Sequence, residues 1–213
     1  MMISIVLDGV VVGSWKRPAA GCDGTLDGDA GLVAAVKGGD MTAFDVLMRR
    51  HREKVYGVLC HILGNREDAA DLAQDAFLIA FRSIGKFRGQ SKFYTWLYRI
   101  AVNLAMRYLR RRRLRRFFNF DNLELDPASE DFVATLAREF PGDRALLLKE
   151  LQRNIAEALQ GLSPKHRAVV VLSEIEGFSA EEIASMTKSS PGTVRSRLHY
   201  AKEYLKSALR CYL

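Results

Sequence analysis

The chain has 213 residues, 48% of them apolar, with a formal net charge of +7 and a pI near 9.4. That length suits one large or two small domains with a real core, and the charge favours an acidic polymer as partner over a solvated basic surface only when other features agree. Cys22, Cys60 and Cys211 are odd in number and far apart, with no CxxC pair, which argues against a disulfide framework or a zinc knuckle and suits a reducing cytoplasm. No stretch has the length of a membrane span, so no membrane insertion is expected.

The N-terminal MMISIVLDGVVVGSW lacks a basic n-region and a clear cleavage site, so it does not read as a signal peptide. Residues 1–28 are expected to be a disordered extension. After residue 29 strand signals are nearly absent, and apolar residues recur at helical spacing. Leu32, Val33 and Val36 suit a short first helix ending at Gly38-Gly39. Phe44, Leu47, Met48, Val55, Leu59, Ile62 and Leu63 mark a long second one closed by Gly64. Asn65 is placed to cap a third, which runs to Gly85. The loop KFRGQS leads into a fourth, KFYTWLYRIAVNLAMRYLRRRRLRR. Residues 117–142 are acidic, contain two prolines and have weak periodicity, so they are expected to be a flexible linker, with a short helix over 131–139.

A second helical unit is expected over 143–213. RALLLKELQRNIAEALQGL is amphipathic. Ser163-Pro164, Ser179 with Glu182 three residues on, and Ser190-Pro191 each read as helix starts. Three capped helices on short turns suggest a helix-turn-helix. The expected fold is therefore all-α, with two helical domains on a linker.

Val194, Leu198, Ala201, Leu205 and Leu209 form the core stripe of the last helix. Thr193, Arg195, Ser196 and His199 lie near its start, where a recognition helix meets base edges; Arg197, Lys202 and Lys206 suit phosphates. A solvated basic face is the plainer alternative. On the third helix Glu67, Asp71 and Asp75 line one face. They could hold Mg²⁺, face solvent, or dock a basic partner with Gln74 as polar anchor. No glycine-rich phosphate loop, paired histidine or nucleophile elbow accompanies them, so neither an enzyme nor a cofactor is expected. Cys60 and His61 read as two buried helix residues rather than ligands. In the fourth helix Phe93, Leu97, Ile100, Leu104 and Tyr108 form a core stripe. Trp96, Arg99, Asn103, Met106 and Arg110 form a second, mixed stripe that suits single-stranded nucleic acid, with Trp96 either stacking on bases or half-buried.

From residue 29 to 103 the chain resembles region 2 of bacterial extracytoplasmic-function (ECF) sigma factors, of the sigma-70 family and sigma-E-like. LSPKHRAVVVLSEIEGFSAEEIASMTKSSPGTVRSRLHYAKEYL resembles their region 4. The resemblance implies region 2 over 29–116 and region 4 over 143–213 in a cytoplasmic, monomeric, dissociable subunit of core RNA polymerase. It implies that Asp71, Gln74, Asp75 and Phe77 dock on the clamp helices of the largest subunit, with region 4 on the flap. It implies minus-10 promoter contacts from Phe87, Arg88, Gln90, Ser91, Lys92, Trp96, Arg99 and Asn103. It implies minus-35 contacts from Thr193, Arg195, Ser196, Arg197, His199 and Lys202. An anti-sigma factor, often membrane-anchored, is the implied regulator. Gln90 stands where many relatives are acidic, and Lys188-Ser189 occupy a turn where relatives often have Gly and an apolar residue. The competing readings are a stand-alone helix-turn-helix regulator and a metal-dependent nuclease built on the region-2 carboxylates.

Overall fold

Helix α2 (Met41–Leu63) organises the first helical unit in the computed structural model, which describes residues 2–7, 10–16, 25–118 and 143–210. Asp40 starts it, its Oδ1 accepting from the Thr42 N–H at 2.9 Å, and Gly64 ends it in the left-handed region at φ 73°. Its apolar stripe buries Leu47, Leu59 and Ile62 completely, each contributing about 1.5–3 kcal/mol of burial. Around it pack α1 (Thr25–Lys37), α3 (Arg66–Ser83) and α4 (Phe93–Phe118). Asn65 caps α3 as expected, accepting from the Asp68 N–H at 3.0 Å. Buried Asp29 ties α1 to α2 through His51 Nε2 at 2.7 Å and Arg50 Nη1 at 3.1 Å.

The second unit comprises α5 (Asp143–Gly161), α6 (Pro164–Val170, continued by a π-turn over Val171–Ile175), α7 (Ala180–Thr187) and α8 (Pro191–Ala208). Ser179 and Glu182 form the reciprocal capping box predicted for α7, at 3.0 and 3.2 Å. Ser190 caps α8 by accepting from the Thr193 N–H at 3.1 Å. Ser163 departs from expectation. It precedes α6, but its hydroxyl bonds His166 Nδ1 at 2.6 Å and makes no cap bond.

The N-terminal extension also departs from expectation. Its backbone forms an antiparallel hairpin, β1 (Met2–Leu7) with β2 (Val10–Lys16), bulged between Ser4 and Ile5. The β-branched residues of ISIVL and VVV, on either side of Asp8-Gly9, are a hairpin pattern. The expectation of disorder gave the flanking Gly-Asp composition more weight than this pattern. The linker's expected helix over 131–139 lies outside the described residues.

The two helical units are not independent bodies. One continuous core joins Leu47, Leu97, Val102 and Ala105 of the first to Val169, Leu172, Phe178, Ile183 and Met186 of the second. The C-terminal end of α2 leaves carbonyls without intrahelical partners. The second unit supplies donors for them: Arg167 Nη1 to Ile62 O at 2.7 Å and Gln160 Nε2 to His61 O at 3.3 Å. Arg167 Nη2 also bonds Gln160 O at 2.8 Å and Leu162 O at 3.1 Å. Across the seam Tyr98 donates to Glu176 Oε2 at 2.8 Å, and its ring meets Phe178 at 5.2 Å.

Cys60 and His61 are helix residues as expected, and both are buried. Burial pushes the Cys60 thiol up and holds the His61 imidazole down at about 4. The unfolded chain therefore binds a proton near pH 6.5 that the folded chain refuses until about pH 4. Between those values stability is expected to fall with acidification by about 1.4 kcal/mol per pH unit from this group alone. Urea midpoints from pH 7 to 4 measure it, and His61→Phe should flatten the slope.

Candidate nucleic-acid and polymerase interfaces

Helix α3 presents two unlike faces because its buried positions are small. Ala69, Ala73, Ala76 and Ala80 let it lie close on the core. The opposite face exposes Asp71, Gln74 and Asp75, spaced three and four apart. Phe77, expected on this docking face, is instead 7% exposed and belongs to the core. Its place on the surface is taken by Leu78, 51% exposed and directly in line with Gln74 and Asp71. The sequence reading missed Leu78, although its position at i+3 from Asp75 and i+4 from Gln74 puts it on the acidic stripe. With Ile79 and Phe81 also exposed, the face is an apolar patch edged by carboxylates.

The loop before α4 and the start of that helix form a second surface. Arg88, Gln90, Ser91, Lys92 and Arg99 are exposed, and Gly89 supplies a left-handed turn at φ 70°. Phe87, expected to face DNA, is 9% exposed. Its ring contacts Phe93 at 6.1 Å and Trp96 at 5.1 Å, so it props the loop from beneath. An apolar ring beside two others is worth more inside than out. Trp96 is half-buried: one side rests on Phe87 and Phe93, and the remainder is open. Of the two readings of Trp96 left open by the sequence, the half-buried one therefore holds.

Asn103 completes this stripe but is engaged. Its Nδ2 donates to Arg99 O at 2.6 Å and to Met186 O of the second unit at 3.2 Å. Residues of the second unit thus sit on part of the face expected to hold melted DNA. The same packing buries a side of α4 that the core stripe did not include: Tyr98, Ala101, Val102 and Ala105. Ile100, Leu104 and Tyr108 of the expected stripe are only partly covered.

The helix-turn-helix of α7 and α8 is formed as the caps predict. Its turn passes through Lys188 at φ 51°, the lone non-glycine residue in the left-handed region among those described. The turn thus takes the glycine-favouring conformation without a glycine. Val194, Ala201 and Leu205 are buried, which turns Arg195, Ser196 and His199 outward. Thr193, Arg197 and Lys202 are partly covered. Arg195 Nη2 rests on Glu181 of α7 at 2.8 Å, both side chains about two-thirds exposed. Lys202 Nζ pairs with Glu174 at 3.0 Å. Among the described residues no group of His, Cys, Asp and Glu could hold a metal ion, and no helix is long and apolar enough to cross a membrane.

Comparison with known proteins matches the chain to one family. The Sigma-70 region 2 family model covers residues 47–115, and the Sigma-70, region 4 model covers residues 152–205. The RNA polymerase sigma-H factor of Pseudomonas aeruginosa is 37% identical over 196 residues, covering 87% of this chain and 96% of that protein. The ECF RNA polymerase sigma-E factor of Haemophilus influenzae is 38% identical over 182 residues, covering 85% and 95%. Two solved structures share the fold at TM-score 0.61. One is the sigma factor RpoE with the anti-sigma factor NepR from Bartonella quintana, at 21% identity over 78% of this chain and 96% of that one. The other is CnrH with the cytosolic domain of CnrY, at 24% identity over 86% and 97%.

Proposed function

The chain belongs to the sigma-70 family, among its ECF sigma factors, and from that membership we propose how its residues divide the work. A sigma factor of this kind binds core RNA polymerase and directs promoter-specific initiation. The two family matches fall in order on two helical units, and that order carries the reading over a stand-alone helix-turn-helix regulator. The regulator reading gives the acidic face of α3 no role.

Asp71, Gln74 and Asp75 hold the polymerase clamp helices, and Leu78 fills the apolar centre that Phe77 does not. Exposed charges steer encounter, while a buried anchor supplies most of the affinity. Asp75→Ala is therefore expected to weaken core binding several-fold, and Leu78→Ala by about tenfold. Both positions are exposed, so the circular dichroism spectrum should not change. Fluorescence anisotropy against core polymerase measures the affinity; an unfolded variant would assign the residue to the fold instead.

Arg88, Gln90, Ser91 and Lys92, with the open side of Trp96, receive melted minus-10 DNA. Unstacking a base costs a few kcal/mol, roughly what one aromatic platform and a fitted pocket return. Trp96→Ala should impair open-complex formation more than closed-complex binding, read by permanganate footprinting beside gel shift. Equal loss in both would reduce Trp96 to a packing residue. Arg195, Ser196 and His199 read minus-35 base edges, while Thr193, Arg197 and Lys202 hold phosphates.

The arrangement of the two units identifies a closed form. Minus-10 and minus-35 elements lie roughly 25 base pairs apart, or about 85 Å at about 3.4 Å per pair. Asn103 and Met186 O, by contrast, are 3.2 Å apart. The units must therefore part on a promoter. We assign control of that opening to an anti-sigma factor, a reading supported by the sigma–anti-sigma complexes among the structural neighbours. Run-off transcription with core polymerase, on promoters mapped by sequencing transcript 5′ ends after overexpression, tests the whole reading. DNA binding without core-polymerase binding would overturn it.

A further inference from the structure

A cavity of about 1120 Å³ opens between the two units, just above the size range of small-molecule sites and too small for a DNA duplex. Helix α4 contributes Arg107, Arg110 and Arg113 to its wall, and the second unit contributes Lys165, Lys188 and Arg197. Arg112 also lines it, with Asp68 outside the cavity at 3.5 Å. Among the described residues lining the cavity none is a carboxylate. Ser163, Thr187 and Ser189 also line it, with their hydroxyls engaged with His166, Ile183 and Thr187 respectively.

The deepest cation is Arg167, 6% exposed. Its terminal nitrogens bond three backbone carbonyls and the Gln160 side-chain oxygen, all neutral. Its Nε is buried and has no partner. A buried guanidinium with only neutral partners keeps its desolvation cost, and burial pulls it down to about 10. The surrounding cations repel one another and add to that cost. An uncharged or cationic occupant would relieve neither effect. A compact multivalent anion relieves both, and Arg and Lys donors suit phosphate oxygens.

We propose that this interdomain cleft binds a free condensed-phosphate anion, a pyro- or triphosphate group alone or carried by a nucleotide, and that the bound anion holds the two units closed. The inference rests on the closed-form reading above. Because the cations come from both units, an anion between them stabilises the closed form alone. Closure then responds to a soluble metabolite as well as to a protein inhibitor.

Inorganic tripolyphosphate is the first probe, titrated into the full chain by calorimetry at constant ionic strength. Saturable one-to-one binding is expected, together with a concentration-dependent rise in Tm. The paired variant Arg113→Ala/Lys165→Ala, with one cation from each unit, should weaken binding at least tenfold, whereas Arg52→Ala, outside the cleft, should not. A fluorophore pair with one dye on each unit should report a shift towards the closed distance. ATP in a second arm distinguishes a nucleotide from the bare anion: tighter binding than tripolyphosphate points to a carried phosphate chain. Absent or unsaturable binding, an equal effect from sodium chloride, or equal affinity in the paired variant would overturn the site. Run-off transcription without added polyphosphate separates the two claims. A chain that initiates correctly but ignores tripolyphosphate loses only the cleft.

Discussion

Arg167→Leu is expected to destabilise the protein by about 2–4 kcal/mol, because three carbonyls, two of them in buried bonds, lose their guanidinium donor. Two of those carbonyls, from Gln160 and Leu162, belong to the last turn of α5 and the turn that follows it. The third, from Ile62, belongs to the other unit. The variant should therefore loosen region 4 locally and also free it from region 2. Small-angle scattering should show a larger radius of gyration, and α4 should exchange amide hydrogens faster along Tyr98, Val102 and Ala105. Arg167→Lys should recover little, since an ammonium cannot fork between carbonyls as a guanidinium does. A variant that loses stability yet keeps its compact radius would place all of Arg167's contribution inside region 4. Because the closed form covers Asn103, the opened variant should also bind single-stranded minus-10 DNA more tightly than the parent does.

Arg195→Ala is expected to reduce discrimination at the minus-35 element by about 1–3 kcal/mol, the value of one good bidentate base contact. Competition between the mapped element and single-base variants of it measures that loss. An equal loss on every sequence would make Arg195 a phosphate contact. The pair with Glu181 sharpens the test. An exposed ion pair is worth at most about 1 kcal/mol, so Glu181 positions Arg195 in the free protein and is easily displaced by DNA. Glu181→Gln should raise affinity on all sequences, through lost repulsion of phosphate, while leaving base preference unchanged.

Much of this molecule is legible in the sequence where local chemistry decides the outcome. Gly64 ends α2, Asn65 caps α3, and the Ser179–Glu182 box starts α7, because each satisfies backbone groups within a few residues of itself. Periodicity also identifies Leu97 and Val194 as core. Legibility stops where the partner surface comes from far along the chain. Tyr98, Val102 and Ala105 are buried by a unit whose nearest residues lie some dozens of positions away, and a single stripe drawn on α4 has no place for them. Tyr94, Tyr98, Ala101, Val102 and Ala105 already outline a second apolar face at helical spacing, and a helix with two such faces is buried on both. The resemblance places Phe77 and Phe87 on surfaces, whereas both are buried. A motif records a position's neighbourhood, and burial settles which residue in it stays exposed, here Leu78 rather than Phe77. The Asn103–Met186 contact could not be foreseen, since neither residue's chemistry names the other.

The core shared by the two units also bears on how long an idle molecule survives. Opening uncovers Tyr98, Val102, Phe178 and Met186 together, a contiguous apolar surface of the kind that proteases and chaperones engage. When opening and reclosing are fast relative to cleavage, degradation follows the population of the open form. Every contact across the seam is then expected to lengthen the half-life of unused sigma factor. Activity and turnover would draw on one equilibrium, so a variant that opens more readily should initiate more often and persist for less time.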